Sequence, residues 1–536
     1  MFEPIQVEVW RHLLAAIAEE MGASLERTAF SPNIKERLDH SCAVFDSSGR
    51  MLAQAAHIPV HLGAMPLMIR EMLGRVPWRP GDMWICNDPR IGGTHLPDLT
   101  LVAPVYARAL SSRSVSAPLK RVGFVASRAH HADIGGMSPG SLPLSTELFQ
   151  EGLILPPVRL IRRGRVQEEI LNLICANSRT PAERRGDLSA QISANETGIQ
   201  RFQSLVVRMG PRTFALRTQE NIAYADAAVR AALRKLKHGR YTGCDVLDSD
   251  GAGEHDIPIC VRVDIPGDGT IRFDFTGSAP QVKGSLNTTL AITRSACYYV
   301  VRCLVEEEIP TNEGCFGPVE VIAPEGTIVN ARFPAAVAGG NVETSQRIVD
   351  VLLRALAPAA PDRIPAASQG TMNNVTLGGY DPFRQRPFAY YETIAGGAGA
   401  SARCSGSSVI HTHMTNTRNT PVEVLESQYP LRVLELSIAR ETGGKGDHPG
   451  GDGMLRRIEL LADAHVSLLT ERRDHSPYGM NGGGEGAPGS NRIQKPGGEE
   501  EPLPAKWHGD CPAGTILSIR TPGGGGWSAT QEPSSE

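Results

Sequence analysis

Residues 92–106, GGTHLPDLTLVAPVY, and residues 122–136, VGFVASRAHHADIGG, decide how this chain is read. Leu99–Tyr106 and Val122–Ser127 are apolar and partly β-branched, and they read as two strands. The intervening ARALSSRSVSAPLKR (107–121) is polar and Ser-rich and reads as a flexible loop closing a hairpin. The two ends of a hairpin away from its turn are neighbours in space. His95 and Asp98, where the first strand begins, should therefore meet His130 and Asp133, where the second ends. A cluster of imidazoles and carboxylates without thiolate suits Zn²⁺, Mn²⁺ or Fe²⁺. Such an ion turns water into a nucleophile near neutral pH. The flanking pairs Gly92-Gly93 and Gly135-Gly136 would let backbone approach closely and offer amides to a developing anion. An isolated H-x-x-D is common and often only a hydrogen-bonded structural pair; the convergence of two is what marks this place. His40 and His131 adjoin stronger candidates.

Working outward, Cys42–Asp46 and Met51–Gln54 flank Ser-Ser-Gly-Arg and read as a first hairpin, whose open end brings Asp39 toward His57 and His61. Residues 4–28 carry Val9, Leu13, Leu14, Ile17 and Met21 at helical spacing, 63–74 look helical, and 183–238 read as two or more helices. Beyond 240 the expected strands are Tyr241–Leu247, Ile257–Ile265, Gly269–Phe275 and Val319–Ala323, with helices at 291–305 and 342–357. After about 366 the chain is Gly-rich, with strands at Leu431–Ala439, Leu455–Leu461, His465–Leu469 and Thr515–Arg520. Gly482–Glu501 reads as a surface loop, and the tail past Trp527 as frayed. Helical and strand blocks are segregated, which makes the fold class α+β, multi-domain and β-rich. The expected division is a metal-site domain at 1–240, an α+β domain at 241–365 and a Gly-rich β domain at 366–536.

The chain of 536 residues balances 54 Lys+Arg against 58 Asp+Glu, a net charge of −4. That balance argues against a nucleic-acid binder. No run reaches the roughly 18–20 apolar residues of a membrane span, and the N-terminus lacks the basic start of a signal peptide. None of the ten cysteines forms a C-x-x-C pair, so most are expected as buried thiols in a reducing cytoplasm. The Gly-rich runs Gly482–Gly486 and Thr521–Trp527 fit no phosphate-binding loop and read as turns. No G-x-S-x-G elbow is found, which disfavours a serine hydrolase.

A second polar stretch, His411-Thr-His-Met-Thr-Asn416-Thr-Arg418-Asn-Thr-Pro-Val-Glu423, could clamp a polar substrate. On its own terms, a loop satisfied by its own backbone is favoured. Asn341 and Glu343 similarly read as caps of a following helix.

Together these residues resemble the B-type chains of the ATP-dependent hydantoinase/oxoprolinase family. The likeness runs through ERLDHSCAVFDSSGRMLAQAAHIPVHLGAM, GDMWICNDPRIGGTHLPDLTLVAPV, SRAHHADIGGMSPGSLP, DFTGSAPQVKGSLN, AGGNVETSQR, HTHMTNTRNTPVE and TPGGGGW, in that order along nearly the whole chain. The resemblance implies a hydrolase of cyclic amides such as hydantoins or 5-oxoproline, working as a cytoplasmic hetero-oligomer. An A-type partner would bind ATP and phosphorylate the substrate carbonyl. The B-type chain would hold a divalent metal on Asp39, His95, Asp98 and His130, with Asp133 orienting a ligand and Asn416 and Arg418 holding the developing oxyanion or phosphate. Related chains serve in ketone carboxylases, which is the alternative; a non-catalytic scaffold for the A-type partner is a third reading. The 107–121 loop looks longer than the family usual, and ETGGKGDHPGGDG (441–453) matches only loosely, which leaves Lys445 without an assigned role.

Overall fold

The computed structural model describes residues 3–55, 58–108 and 119–528. Its organising element is an antiparallel sheet of seven strands: β1 (His40–Asp46), β2 (Met51–Gln54), β3 (Met83–Cys86), β4 (Asp98–Ala107), β5 (Lys120–His130), β6 (Val158–Arg162) and β7 (Arg165–Val166), in the order β2-β1-β5-β4-β3-β6-β7. The expected hairpin is β4–β5, and its register runs from Asp98 opposite His130 to Ala107 opposite Lys120. Most of the loop read at 107–121 lies outside the described residues, as do His57 and the tail past Ser528. On its other side β5 pairs with β1, setting His40 opposite Ala129. The His130 amide then donates to the Asp39 carbonyl at 3.0 Å.

The central strands are apolar on both faces because both faces are covered. Leu99, Leu101, Ala103 and Val105 pack with Trp10, Leu14, Ile17 and Met21 of the helix Pro4–Thr28 and with Leu188, Phe202 and Leu205 of the helix Pro181–Met209. Ala43, Phe45, Val102, Phe124 and Ala126 face the other way, toward Met65, Met68, Ile69 and Met72 of the helix Ala64–Leu73. The helical block expected at 183–238 is two helices, broken at Gly210 (φ 79°) with Pro211 opening the second.

The rest is built in the same segregated manner, so the fold is α+β. Strands Gly239–Ser249, His255–Ile265, Ile271–Asp274 and Val319–Ile322 form a four-stranded sheet backed by helices Leu290–Cys303 and Ser345–Leu356. A second four-stranded sheet (Asn374–Asp381, Arg386–Glu392, Ala464–Leu469, Lys506–Cys511) and a five-stranded sheet share the C-terminal core. Cys244 and Cys260 sit opposite each other on adjacent strands and are disulfide-bonded, a pairing their spacing does not announce. Gly482–Glu501 is likewise no simple loop, since Ser490–Gln494 and Glu500–Leu503 pair as strands.

The glycine excess has a structural reason other than turns. Gly523–Gly526 runs among other glycine-rich segments. A Cβ on these four glycines would overlap the carbonyl oxygens of Thr442, Ala398, Tyr478 and Lys445 respectively. None of the four has a positive φ, so close approach, not conformational freedom, demands glycine. The amides of Gly524, Gly525 and Gly526 donate to the carbonyls of Gly451, Ala367 and Gly484 at 2.9, 2.8 and 2.9 Å. Backbone therefore packs on backbone here, as side chains do in an ordinary core. Gly524→Ala should cost about 3 kcal/mol or more by overpacking. Gly498→Ala, whose Cβ would meet nothing nearer than the Lys495 carbonyl at 3.4 Å, should change stability by less than about 0.5 kcal/mol. Chemical denaturation of both variants checks the contrast.

Candidate metal centre

The register of β4 on β5 delivers a compact triangle of donor atoms. His95 Nε2 lies 3.0 Å from His130 Nδ1 and 3.2 Å from Asp98 Oδ1, and His130 Nδ1 lies 3.4 Å from the same Asp98 oxygen. All three residues are buried. The ligand atoms of a tetrahedral ion with bonds of 2.0–2.1 Å stand about 3.3 Å apart, so the edges of this triangle match a coordination polyhedron. Two ring nitrogens and a carboxylate oxygen facing one another at these distances also repel unless protons or a cation lie between them. Among the described residues this is the group of side chains able to share one metal ion.

Each donor is oriented from behind. His95 Nδ1 donates to the Ala338 carbonyl at 3.3 Å, which leaves the Nε2 lone pair pointing at the triangle. Asn341 Nδ2 approaches that same Nε2 at 3.0 Å. The other oxygen of Asp98 receives the Thr94 hydroxyl and lies 3.3 Å from His61 Nε2, whose Nδ1 is 2.9 Å from Ser41 Oγ. Burial opposes the Asp98 charge, but His95, His61 and His130 outweigh it and hold its carboxyl well below the usual range. His95 moves up, burial being outweighed by Asp98, its own hydrogen bonds and Asp39, while burial pushes His61 and His130 down.

Asp39 shares a small cavity with His61, Asp98, His130, Asn341 and Tyr391. Its volume, about 20 Å³, admits one ion or water molecule. Its carboxyl is raised, by burial first, against His130 and Arg37; it stands outside the tight triangle formed by the other three. Asp133 is placed elsewhere. Its oxygens accept from the amides of Gly135, Gly140 and Arg179 at 3.0, 3.3 and 3.0 Å, and from Arg179 Nη1 at 2.9 Å. It fastens its own turn and does not join the triangle. Asn416 and Arg418 are exposed, whereas Thr415 and Thr417, of opposite parity on the same extended stretch, line the cavity. The Gly93 amide donates to the Asp88 carbonyl at 3.0 Å and the Gly135 amide to Asp133, so these two amides are taken. His131 belongs to a separate buried group, 2.7 Å from Arg184 Nη1 and 2.9 Å from Gln191 Oε1, and is pushed down to about 4 by burial and Arg184.

Sequence reading missed several supports. Arg128, fully buried, donates to Thr100 Oγ1 at 2.7 Å and to the Gly92 carbonyl at 3.1 Å, holding the loop that carries His95. Glu151 Oε1 accepts from the amides of Val337 and Ala338 at 2.8 and 2.9 Å and from Ser145 Oγ at 2.7 Å. It thereby fixes the carbonyl that orients His95. Nothing local marks either residue as part of the site.

The comparisons with known proteins agree over nearly the whole length. The family model for hydantoinase B/oxoprolinase matches residues 3–530. An uncharacterized protein of Methanocaldococcus jannaschii is 40% identical over 99% of this chain and 91% of its own. The 5-oxoprolinase 1 of Arabidopsis thaliana is 39% identical over 98% of this chain, which spans only 42% of that protein. A chain of Pseudomonas sp. named as one subunit, the B-type, of a putative D-/L-hydantoinase is 30% identical over 98% of this chain and 90% of its own. Among solved structures, the ATP-dependent caprolactamase of Pseudomonas jessenii superposes with TM-score 0.88 at 26% identity, covering 99% of this chain and 91% of that one. Nucleotide-free acetone carboxylase shares the fold with TM-score 0.88 at 19% identity, over 98% of this chain and 76% of that one. The chain belongs to the hydantoinase B/oxoprolinase family.

Glu151 supplies a pH test. Burial pushes its carboxyl up to about 7, against about 4.3 in an unfolded chain. A raised carboxyl favours the folded state at low pH, and the contribution is lost as pH climbs through 7. Glu151→Gln keeps an acceptor oxygen but cannot ionise, so its melting temperature should rise relative to the parent protein between pH 5 and pH 8. A constant offset across that range would show that Glu151 does not titrate there.

Proposed function

We propose that this chain is the B-type part of an ATP-dependent hydrolase of cyclic amides, with Asp39, His95, Asp98 and His130 holding a divalent metal ion. The observation that carries the reading is the His95–Asp98–His130 triangle, whose edges of 3.0, 3.2 and 3.4 Å suit tetrahedral ligands. The names of the 5-oxoprolinase, hydantoinase and caprolactamase relatives support the substrate class, a lactam or hydantoin. Two imidazoles with one or two carboxylates suit Zn²⁺, Mn²⁺ or Fe²⁺. When bound, the ion supplies Lewis acidity and activates water near neutral pH.

The chain's own residues divide the remaining work. Asp98 carries the negative charge that draws a cation into the triangle, with Thr94 and His61 fixing one of its oxygens. His95 is held by Ala338 in the tautomer that presents Nε2. An unstrained lactam resists attack because its amide is resonance-stabilised, and phosphorylation of the carbonyl oxygen by an A-type partner would remove that resistance. The Pseudomonas relative is named as one subunit of its enzyme, and this chain spans 42% of the Arabidopsis protein; both support a further chain or domain that completes the enzyme, the part to which we assign ATP binding. A lactam is several times the size of a water molecule, larger than the cavity of about 20 Å³ beside the triangle. On this reading substrate enters by displacement of the Met414, Thr415 and Thr417 side of the cavity. Thr415 and Thr417, not the exposed Asn416 and Arg418, are then the hydroxyls placed to meet substrate.

Co-expression with an A-type chain tests the reading. ATP turnover should depend on 5-oxoproline, a hydantoin or a neutral lactam. His95→Ala and Asp98→Ala should lower that turnover at least about 100-fold, leaving the partner's basal ATPase unchanged, and Asp39→Ala should lose metal on elemental analysis. Full lactam turnover in the His95 and Asp98 variants would overturn the site. Turnover that needs a ketone and bicarbonate instead would replace the hydrolase with a carboxylase.

A further inference from the structure

The two imidazoles of the triangle are oriented by different means. His95 has the usual arrangement, its second nitrogen bonded to a backbone carbonyl. His130 does not: its Nε2 is buried without a hydrogen-bond partner among the described residues. The ring torsion of a histidine is broad, so nothing bonded at Nε2 fixes the plane that aims Nδ1 at Asp98 and His95.

What lies against the ring is Tyr391, on the strand Arg386–Glu392 of a different sheet. Its ring stacks on that of His130 with centroids 4.5 Å apart and planes 23° apart. Tyr391 is itself held on three sides. The buried Arg37 guanidinium covers its ring at 4.7 Å and donates to its carbonyl at 3.0 Å. Its hydroxyl donates to Asn374 Oδ1 at 3.0 Å. Asn374 Nδ2 in turn donates to Glu343 Oε1 at 2.6 Å and to the Leu469 carbonyl at 2.8 Å. Arg37 also bonds Asn33, whose Nδ2 donates to the His130 carbonyl at 2.6 Å, so the layers close on one another.

We propose that Tyr391 is the positioning residue of His130: a flat face, clamped by Arg37 and anchored through Asn374, that orients the ring where no described residue bonds Nε2. This rests on the metal reading of the triangle. It assigns the C-terminal sheet a part in the geometry of a centre whose ligands all lie in the first quarter of the chain.

The test is cobalt(II) binding by the full-length protein, read as affinity in chelator competition and as the visible absorption band. Tyr391→Met fills the space without a flat face and should weaken cobalt binding at least about tenfold and move the band. Tyr391→Phe keeps the stack and should recover affinity to within about threefold, with the parental band. A folded Tyr391→Met protein with parental affinity and band would overturn the proposal alone. A parent protein that binds no stoichiometric cobalt would overturn it together with the metal reading. Should Tyr391→Met fail to fold, Tyr391→Leu decides in its place, since it too removes the flat face: a shifted band supports the proposal, and an unchanged one overturns it.

Discussion

The pairing of Asp98 with His130 across β4 and β5 is the constraint on which the rest depends. Side chains alternate along a strand, so a slip of one residue would turn every side chain of β4 to the opposite face. The apolar layers prevent that slip. Leu99, Leu101, Ala103 and Val105 are committed to the helical face and Val102 to the other, and each would exchange environment if the register moved. The triangle's geometry thus follows from burial well away from it, and the Asp98–His130 end of the hairpin is held by strands covered on both sides.

A second layer of control comes from far along the chain. Glu151 holds the amides of Val337 and Ala338, Ala338 holds His95, and Asn341 follows three residues later in the turn Gly340–Thr344. Glu343, two residues beyond Asn341, is pushed up to about 7 by burial and receives the Met372 amide and Asn374. Residues that read as simple helix caps are therefore the link between the central helices, the C-terminal sheet and the triangle. The turn is π-type, a widened form frequent at functional sites, and it sets Asn341 toward His95 with Glu343 toward Asn374.

How far the sequence discloses this depends on the range of the interaction. The meeting of His95, Asp98 and His130 is legible because two signals are local: an apolar run of strand length, and the same short motif at the two ends that a hairpin must bring together. The motif misleads at Asp133. Asp98 opens a strand and faces its partner, whereas Asp133 lies past the strand end in a turn, where glycine amides and Arg179 claim its oxygens. At 415–418 Thr415 and Thr417 are buried while Asn416 and Arg418 are exposed, and nothing in a polar stretch says in advance which alternate side chains face inward. Arg37, Arg128, Glu151 and Tyr391 give no local sign at all; each is a buried polar or aromatic residue whose partner lies in another element. The C-terminal glycines show a further ambiguity. Glycine relieves either a left-handed backbone or a steric overlap, and only the packing reveals that Gly523–Gly526 serve the second.

The electrostatics of the triangle argue for the same centre as its geometry. Burying Asp98 without a counter-charge would be costly enough that the group would ordinarily shift toward neutrality. Here it is held ionised by three imidazoles, two of which burial drives toward their neutral form. The protein has therefore gathered one firm negative charge, two ring nitrogens and a further buried carboxyl, Asp39, while the Arg37 guanidinium stands 4.0 Å from Asp39 and over the ring of Tyr391. A structural ion pair would place that arginine in the triangle. Its position against Tyr391, beside the cluster and outside it, leaves the triangle with an excess of donors, as the proposed divalent cation would require.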